Sequence, residues 1–184
     1  AGTMDDAWSH GVERVLDRIR DGDLEKAVLA RRATYRAEPD LDPVQVLRAL
    51  SRDHPHTFLF CLQLAPDLAF IGASPELLYR RKDRTIESVA LAGTRRRGET
   101  EAEDRSLADE LVTSAKDRRE HELVRAHIAK QLAPLCRQLV SPPTPWLRQL
   151  TNVQHLCSDF RGGLEAGVDD TRVLAQLHPT PAVC

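Results

Sequence analysis

Apolar positions in the first part of the chain recur every three or four residues. Trp8, Val12, Val15, Leu16 and Ile19 form one stripe of a helix over residues 5–20, closed by the turn signal Asp21-Gly22-Asp23. Residues 24–35 mix polar and apolar positions around Val28 and Leu29, which predicts a strand. Asp42-Pro43 then supplies an N-cap and a first-turn proline for a helix through residue 50. Beyond it the pattern changes to short apolar or alternating runs over residues 57–62, 68–72, 76–79 and 85–91. They are separated by Ala65-Pro66-Asp67, Ser74-Pro75 and Lys82-Asp83, and predict an antiparallel meander.

Helical spacing returns after Gly98. Leu107, Leu111 and Val112 mark one helix; Leu123, Val124, Ile128, Leu132 and Leu135 mark a longer one that Pro134 limits. Ser141-Pro142-Pro143-Thr144-Pro145 reads as a rigid linker, residues 150–160 as a further strand, and residues 169–177 as a helix capped by Asp169 or Asp170. The strands are grouped and do not alternate one-for-one with helices, so the order is α+β and argues against a doubly wound nucleotide fold.

Composition narrows the functions. In 184 residues, 41% are hydrophobic and 26 basic residues balance 28 acidic ones, so a substantial core is within reach and no field draws the chain to nucleic acid. Arg95-Arg96-Arg97 is the one dense basic run, and without neighbouring aromatics it reads as a solvated or carboxylate-binding face. Cys61, Cys136, Cys157 and Cys184 lack zinc-site spacing; Cys61 and Cys136 sit in apolar runs as core residues would, and a reducing cytoplasm suits all four. No stretch approaches the length of a membrane span. The apolar, proline-restricted last eight residues, 177–184, form a bend that points to a piece of a longer domain.

Several side chains are candidates for chemistry. Lys26 lies in the semi-apolar run Leu24-Glu25-Lys26-Ala27-Val28-Leu29; turned inward it would be a desolvated base, turned outward a surface lysine. Glu76 follows Gly72-Ala73-Ser74-Pro75 at a turn next to apolar residues, where burial would make it a general acid and solvent would leave it a plain edge residue. Asp117, Glu120 and His121 fall at i, i+3 and i+4 of one helix, the spacing for a carboxylate reaching into a cleft beside an oriented histidine; the plainer reading is a wet helix face. A single glutamate with waters and ligand oxygens suffices for Mg²⁺. His155 in its strand suits a structural role, and His54 with His56 lacks a third ligand for zinc. Gly93 and Gly98 share one loop but lack the residues of a phosphate cradle, and Ser74 and Ser114 lack nucleophile-elbow glycines.

Five segments taken in order are similar to the motif series of the chorismate-utilising enzymes. They are Lys26-Ala27-Val28-Leu29-Ala30-Arg31, Gly72-Ala73-Ser74-Pro75-Glu76-Leu77-Leu78, Leu91-Ala92-Gly93-Thr94 with Arg97-Gly98, the run from Ser114 through Glu120-His121-Glu122 to Val124, and Leu177-His178-Pro179-Thr180-Pro181-Ala182-Val183. The resemblance spans nearly the whole chain and implies layered antiparallel β-sheets with flanking helices, residues 1–184 being one part of a single chorismate-binding catalytic domain. Within the family the chain resembles the isochorismate synthase branch. Leu123-Val124-Arg125-Ala126-His127-Ile128 departs from the amine-adding relatives, Lys26 matches the water-adding ones, and Ala92 stands where a lysine nucleophile would be. Salicylate synthase shares the lysine and the acid and remains an alternative, as does a non-catalytic remnant of the fold.

Carried over residue by residue, the resemblance implies Lys26 as the base that activates water for attack at C2 of chorismate, and Glu76 as the acid that protonates the departing C4 hydroxyl. It implies Glu120 as a Mg²⁺ ligand, and Ala92, Gly93, Thr94, His155 and Ala182 as substrate contacts. It also implies that further carboxylate-binding and metal-binding residues would follow Cys184, so that the piece alone is inactive and folds poorly. The substrate is chorismate, with no nucleic acid and no membrane; whether the product feeds quinone or siderophore synthesis stays open.

Overall fold

The computed structural model describes residues 4–183, and side chains from residue 7 to 183. Cys184 and the two extreme ends of the 1–184 domain expectation lie outside the described residues.

The first helix, α1, runs Met4–Arg20 and stops where Gly22 takes a φ of 81°. Residues 24–35, expected as a strand, are irregular and form no β-ladder among the described residues. Helix α2, Pro43–Asp53, begins as its sequence dictates, with Asp42 Oδ1 accepting from the Val44 amide at 2.8 Å. Strands β1, Phe58–Ala65, and β2, Leu68–Ser74, pair antiparallel from Phe58↔Ser74 onwards.

The expected meander divides here. Residues 76–79 are not a strand, because Pro75 removes a ladder donor. The segment follows the next strand only through two isolated bonds, Val89 N to Leu77 O at 3.3 Å and Ser88 Oγ to Leu78 O at 2.7 Å. The following hairpin, β3 Arg80–Lys82 with β4 Thr85–Arg96, therefore belongs to a different sheet from β1 and β2.

Helix α3, Glu101–Thr113, is capped by Thr100, and α4, Ala115–Leu132, by Ser114; a single 3-10 turn, Ala133–Leu135, carries Pro134. Two short strands that the apolar pattern does not announce follow, β5 Cys136–Val140 and β6 Trp146–Gln149, then β7 Val153–Leu164 and α5 Asp170–Leu177, capped by Asp169. The larger sheet has the order β3-β4-β7-β5, with β6 also on β7. Its spine is the antiparallel pair β4 and β7, each of 12 residues, in register from Thr85↔Gly163 to Arg96↔Val153. The observed architecture is the α+β arrangement of antiparallel sheets and helices.

The core follows from alternation along the spine. Ile86 and Ala90 on β4, with Phe160 and Leu164 on β7, meet Val124, Ile128 and Leu132 of α4 and Val173 and Leu177 of α5. Full burial of each large aliphatic side chain contributes about 1.5–3 kcal/mol. Val89, Leu91 and Cys157 form a smaller cluster on the opposite face with Leu77. The β1–β2 pair contrasts with this: Phe58, Leu62, Leu64, Leu68 and Phe70 are all exposed. Cys61 is correspondingly exposed and Cys136 half-buried, against the expectation of core cysteines for both; Cys157 is the buried one.

Candidate functional site

The site begins at an irregularity in β4. Ala92 pairs with Leu156 and Thr94 with His155, so Gly93 is an extra residue, a β-bulge with φ +79°. The glycine thus lies within the strand and not in a loop shared with Gly98. It is wedged: a Cβ there would stand 3.2 Å from the Asp117 Cβ and 3.4 Å from Leu111 and Leu156. Two histidines flank the bulge. His155 shares a 2.9 Å hydrogen bond with Thr94 Oγ1, and His121 of α4 one of 2.9 Å with Ser158 Oγ of β7. Burial pushes both imidazoles below their ordinary value, opposed at His121 by the Ala92 backbone and at His155 by the Gly93 backbone. Both rings are therefore favoured in the neutral form.

Helix α4 divides the three residues that its spacing suggested might act together. Asp117 and His121 are 1% and 2% exposed and face the sheet, whereas Glu120, about 60–100° round the helix, is half-exposed on its flank. Asp117 Oδ2 accepts from Arg95 Nη2 at 2.7 Å, and the Asp117 amide donates to Ser114 Oγ at 3.2 Å. Burial works against the Asp117 charge, but the bonds from Ser114 and Arg95 and the charges of Arg95 and Lys116 prevail and hold its carboxyl below the usual range. Lys116 Nζ lies 3.6 Å from Glu120 Oε2.

Arg95-Arg96-Arg97 is a carboxylate-binding run, as its composition suggested. Arg96 pairs with Glu103, and Arg97 grips Asp104 with bonds of 2.8 and 2.5 Å while donating to Leu150 O at 2.9 Å. What the sequence did not reveal was that Arg95 would take Asp117, or that Ser158 partners His121. These pairings join residues 22 and 37 positions apart and leave no local signature.

Lys26 is half-buried on the extended segment and donates to Pro181 O, which brings it to the turn that contains Ala182. The Ala182 amide donates within that turn, to Thr180 Oγ1 at 3.3 Å, and its side chain packs against the core. Lys26 and Glu120 both line a cavity of about 790 Å³ whose other wall is the apolar face of α1, from Trp8 to Ile19. Glu76 is not on that lining, but the two share one electrostatic neighbourhood. Burial raises the Glu76 carboxyl above its ordinary value, and the Lys26 charge pulls it partly back. The Glu76 amide is fixed by a 3.2 Å bond to Ser74 Oγ. His155 lines a separate cavity of about 580 Å³ beside Thr57, Ala73 and Pro75. The structure thus places Lys26 on one cavity with Glu120 and against the turn of Ala182, leaves Glu76 off that lining, and pairs Thr94 with His155 beside the bulge. Among the described residues no three His, Cys, Asp or Glu side chains gather as a metal cage, and no helix is long and apolar enough to cross a membrane.

Comparison with known proteins is consistent from end to end. The profile of the family described as chorismate binding enzyme matches residues 2–184. The chloroplastic isochorismate synthase of Catharanthus roseus is 39% identical over 180 residues, which are 97% of this chain and 31% of that protein. The crystal structure of the DhbC isochorismate synthase of Bacillus anthracis superposes with a TM-score of 0.82 at 31% identity, covering 95% of this chain and 48% of that one. MenF, the menaquinone-specific isochorismate synthase of Escherichia coli, gives a TM-score of 0.70 at 32% identity over 77% of this chain and 32% of its own. The chain spans about a third to a half of the length of these relatives.

Proposed function

We propose, since the chain belongs to the chorismate-binding enzyme family, that its protein converts chorismate into isochorismate. Two placements carry the reading: Glu76 is a half-buried carboxyl raised by its burial, and Lys26 is an amine that opens onto a cavity beside Glu120 and is tied to the turn carrying Ala182. A raised carboxyl stays protonated nearer to neutrality and can donate, and an amine with a free lone pair can accept; water addition with loss of a hydroxyl needs one of each.

In this mechanism Lys26 takes a proton from a water that forms the new C2–O bond, the ring double bonds shift, and the C4–O bond breaks as Glu76 protonates the leaving hydroxyl. One water enters and one leaves, so the reaction is an isomerisation. The hydrogen bond from Lys26 to Pro181 O orients the amine against the turn carrying Ala182. The Gly93 bulge lets β4 pack closely against Asp117, Leu111 and Leu156 while it turns the exposed Thr94 outward, and Thr94 with His155 supplies polar contacts for a ligand.

Magnesium fits this donor set only as an ion shared with the substrate. The described residues form no closed cage, but Mg²⁺ keeps several waters and takes one or two carboxylates plus ligand oxygens, and Glu120 is one of the two carboxylates, with Glu25, on the cavity that Lys26 lines. Glu120 would hold it, and the ion would neutralise a substrate carboxylate.

The decisive experiment incubates the full-length protein with chorismate and Mg²⁺ and separates the products. Isochorismate alone is expected; salicylate with pyruvate would make it a salicylate synthase, and unchanged chorismate would leave a binding protein. Lys26→Ala and Glu76→Gln are each expected to lower kcat by about 10²–10⁴-fold. Full turnover in either would remove that residue from the reaction. Glu120→Gln should weaken Mg²⁺ binding in calorimetry.

A further inference from the structure

Arg148 lies outside every motif quoted above, yet it joins the two sheets at the point where Glu76 is held. Its Nη1 donates to Pro75 O at 2.9 Å and its Nη2 to His56 O at 3.3 Å. These carbonyls stand at the two open ends of the β1–β2 hairpin, just outside its terminal pair Phe58↔Ser74. The hairpin shares no ladder with the five-stranded sheet, so this side chain, half-buried on β6, is a tie between them. Arg148 sits opposite His155 of β7, which anchors the guanidinium to the spine of the molecule. A planar fork with two donors at fixed spacing can bridge two carbonyls in this way, and an ammonium cannot reproduce that geometry.

We propose that Arg148 is a positioning residue for Glu76, fixing the direction in which its carboxyl enters the site. The proposal rests on the acid role of Glu76 given above. The peptide unit between Pro75 and Glu76 is gripped at both poles: its C=O by Arg148, its N–H by Ser74 Oγ at 3.2 Å. With that plane held, the Glu76 N–Cα bond from which the side chain departs is held too, and the side chain is half-buried. The charged group acting on the Glu76 carboxyl is Lys26, from the extended segment. Arg148 spends its donors on the two carbonyls, and its charge acts on the His155 ring instead. Loss of Arg148 should therefore alter Glu76 through geometry and solvation, not through the removal of a neighbouring charge.

The test replaces Arg148 in the full-length protein with Met, which keeps the reach and removes the donors, and with Lys. In Arg148→Met, kcat is expected to fall roughly 10–100-fold with KM for chorismate within about twofold, the penalty of a misdirected reacting group. The titration of the Glu76 carboxyl, followed by carbon NMR in glutamate-labelled protein, should move down toward that of an ordinary carboxylate, and the alkaline limb of kcat should move down with it. A folded Arg148→Met whose Glu76 titration matches wild type overturns the proposal, even if turnover has dropped. Should Arg148→Met not fold, Arg148→Lys decides: an intermediate shift supports the proposal, and wild-type titration refutes it. Because the NMR reading needs no turnover, it also stands apart from the acid role, which full activity of Glu76→Gln would refute separately.

Discussion

Replacing Gly93 by alanine tests the geometry at the centre of the site. The residue is a bulge at φ +79°, and an added Cβ would lie 3.2 Å from the Asp117 Cβ and 3.4 Å from two leucine methyls, Leu111 and Leu156. Left-handed backbone costs a non-glycine residue about 1–2 kcal/mol, and crowding a packed site adds roughly 1–3 kcal/mol. Reduced freedom of the unfolded chain returns about 0.4–1 kcal/mol. The net loss is then about 1–4.5 kcal/mol, which for a chain of this size lowers Tm by roughly 2–18 °C. The Asp117 Cβ is the nearest contact, and any movement of Asp117 disturbs its bond to Arg95. Gly163 provides the control: it lies on β7 with nothing within 4 Å of an added methyl, so Gly163→Ala should stay within about 0.5 kcal/mol of wild type. Calorimetric melting of both variants checks the reasoning. A Gly93→Ala protein that melts with Gly163→Ala and the wild type would refute it.

Three further outcomes are expected. The Arg97 bond, aided by the Gly98 amide, holds the Asp104 carboxyl down to about 2. A carboxyl depressed in the fold stabilises it above the unfolded value near 3.8, and that contribution disappears as pH falls from about 4 toward 2. Urea unfolding across that range should therefore show a steeper loss in wild type than in Asp104→Asn. Burial pushes the Cys157 thiol up to about 12, with Asp159 adding to it, whereas Cys61 is exposed. Alkylation at pH 8 followed by mass mapping should modify Cys61 quickly and Cys157 only on unfolding. Glu76, if it is the acid, requires kcat to decline as pH rises through its raised value, and Glu76→Gln should remove that alkaline limb from any residual activity.

Much of the helical part was legible because its signals are local. Asp42-Pro43, Ser114 and Asp169 start helices through side chains that bond amides two or three residues on, and Pro134 ends one by lacking a donor. Strands depend on neighbours, and there local reading failed. Residues 24–35 look like a strand but form no ladder among the described residues, while β5 and β6 are too short to show alternation and exist because β7 pairs with both. The candidate site was found mainly through the order of its motifs. Lys26 and Glu76, 50 positions apart, share no local pattern, and only folding reveals that one acts on the other. Asp117 illustrates the opposite error: its helical spacing to Glu120 suggested a common task, but the helix turns the two toward different surroundings.

The β1–β2 hairpin has a practical corollary. Many of its large side chains, Phe58, Leu62, Leu64, Leu68 and Phe70 among them, are open to water, and among the described residues neither strand has a ladder partner on its outer edge. Water tolerates such a ribbon poorly, and any second molecule bearing the same ribbon offers both the missing backbone partners and an oily surface to lie against. The concentration at which this polypeptide stays clear in solution is therefore expected to depend on the exposed hairpin side chains, Phe58, Leu62 and Phe70 among them, more than on the well-packed spine. Charged replacements at those three positions should extend the working range without raising the melting temperature.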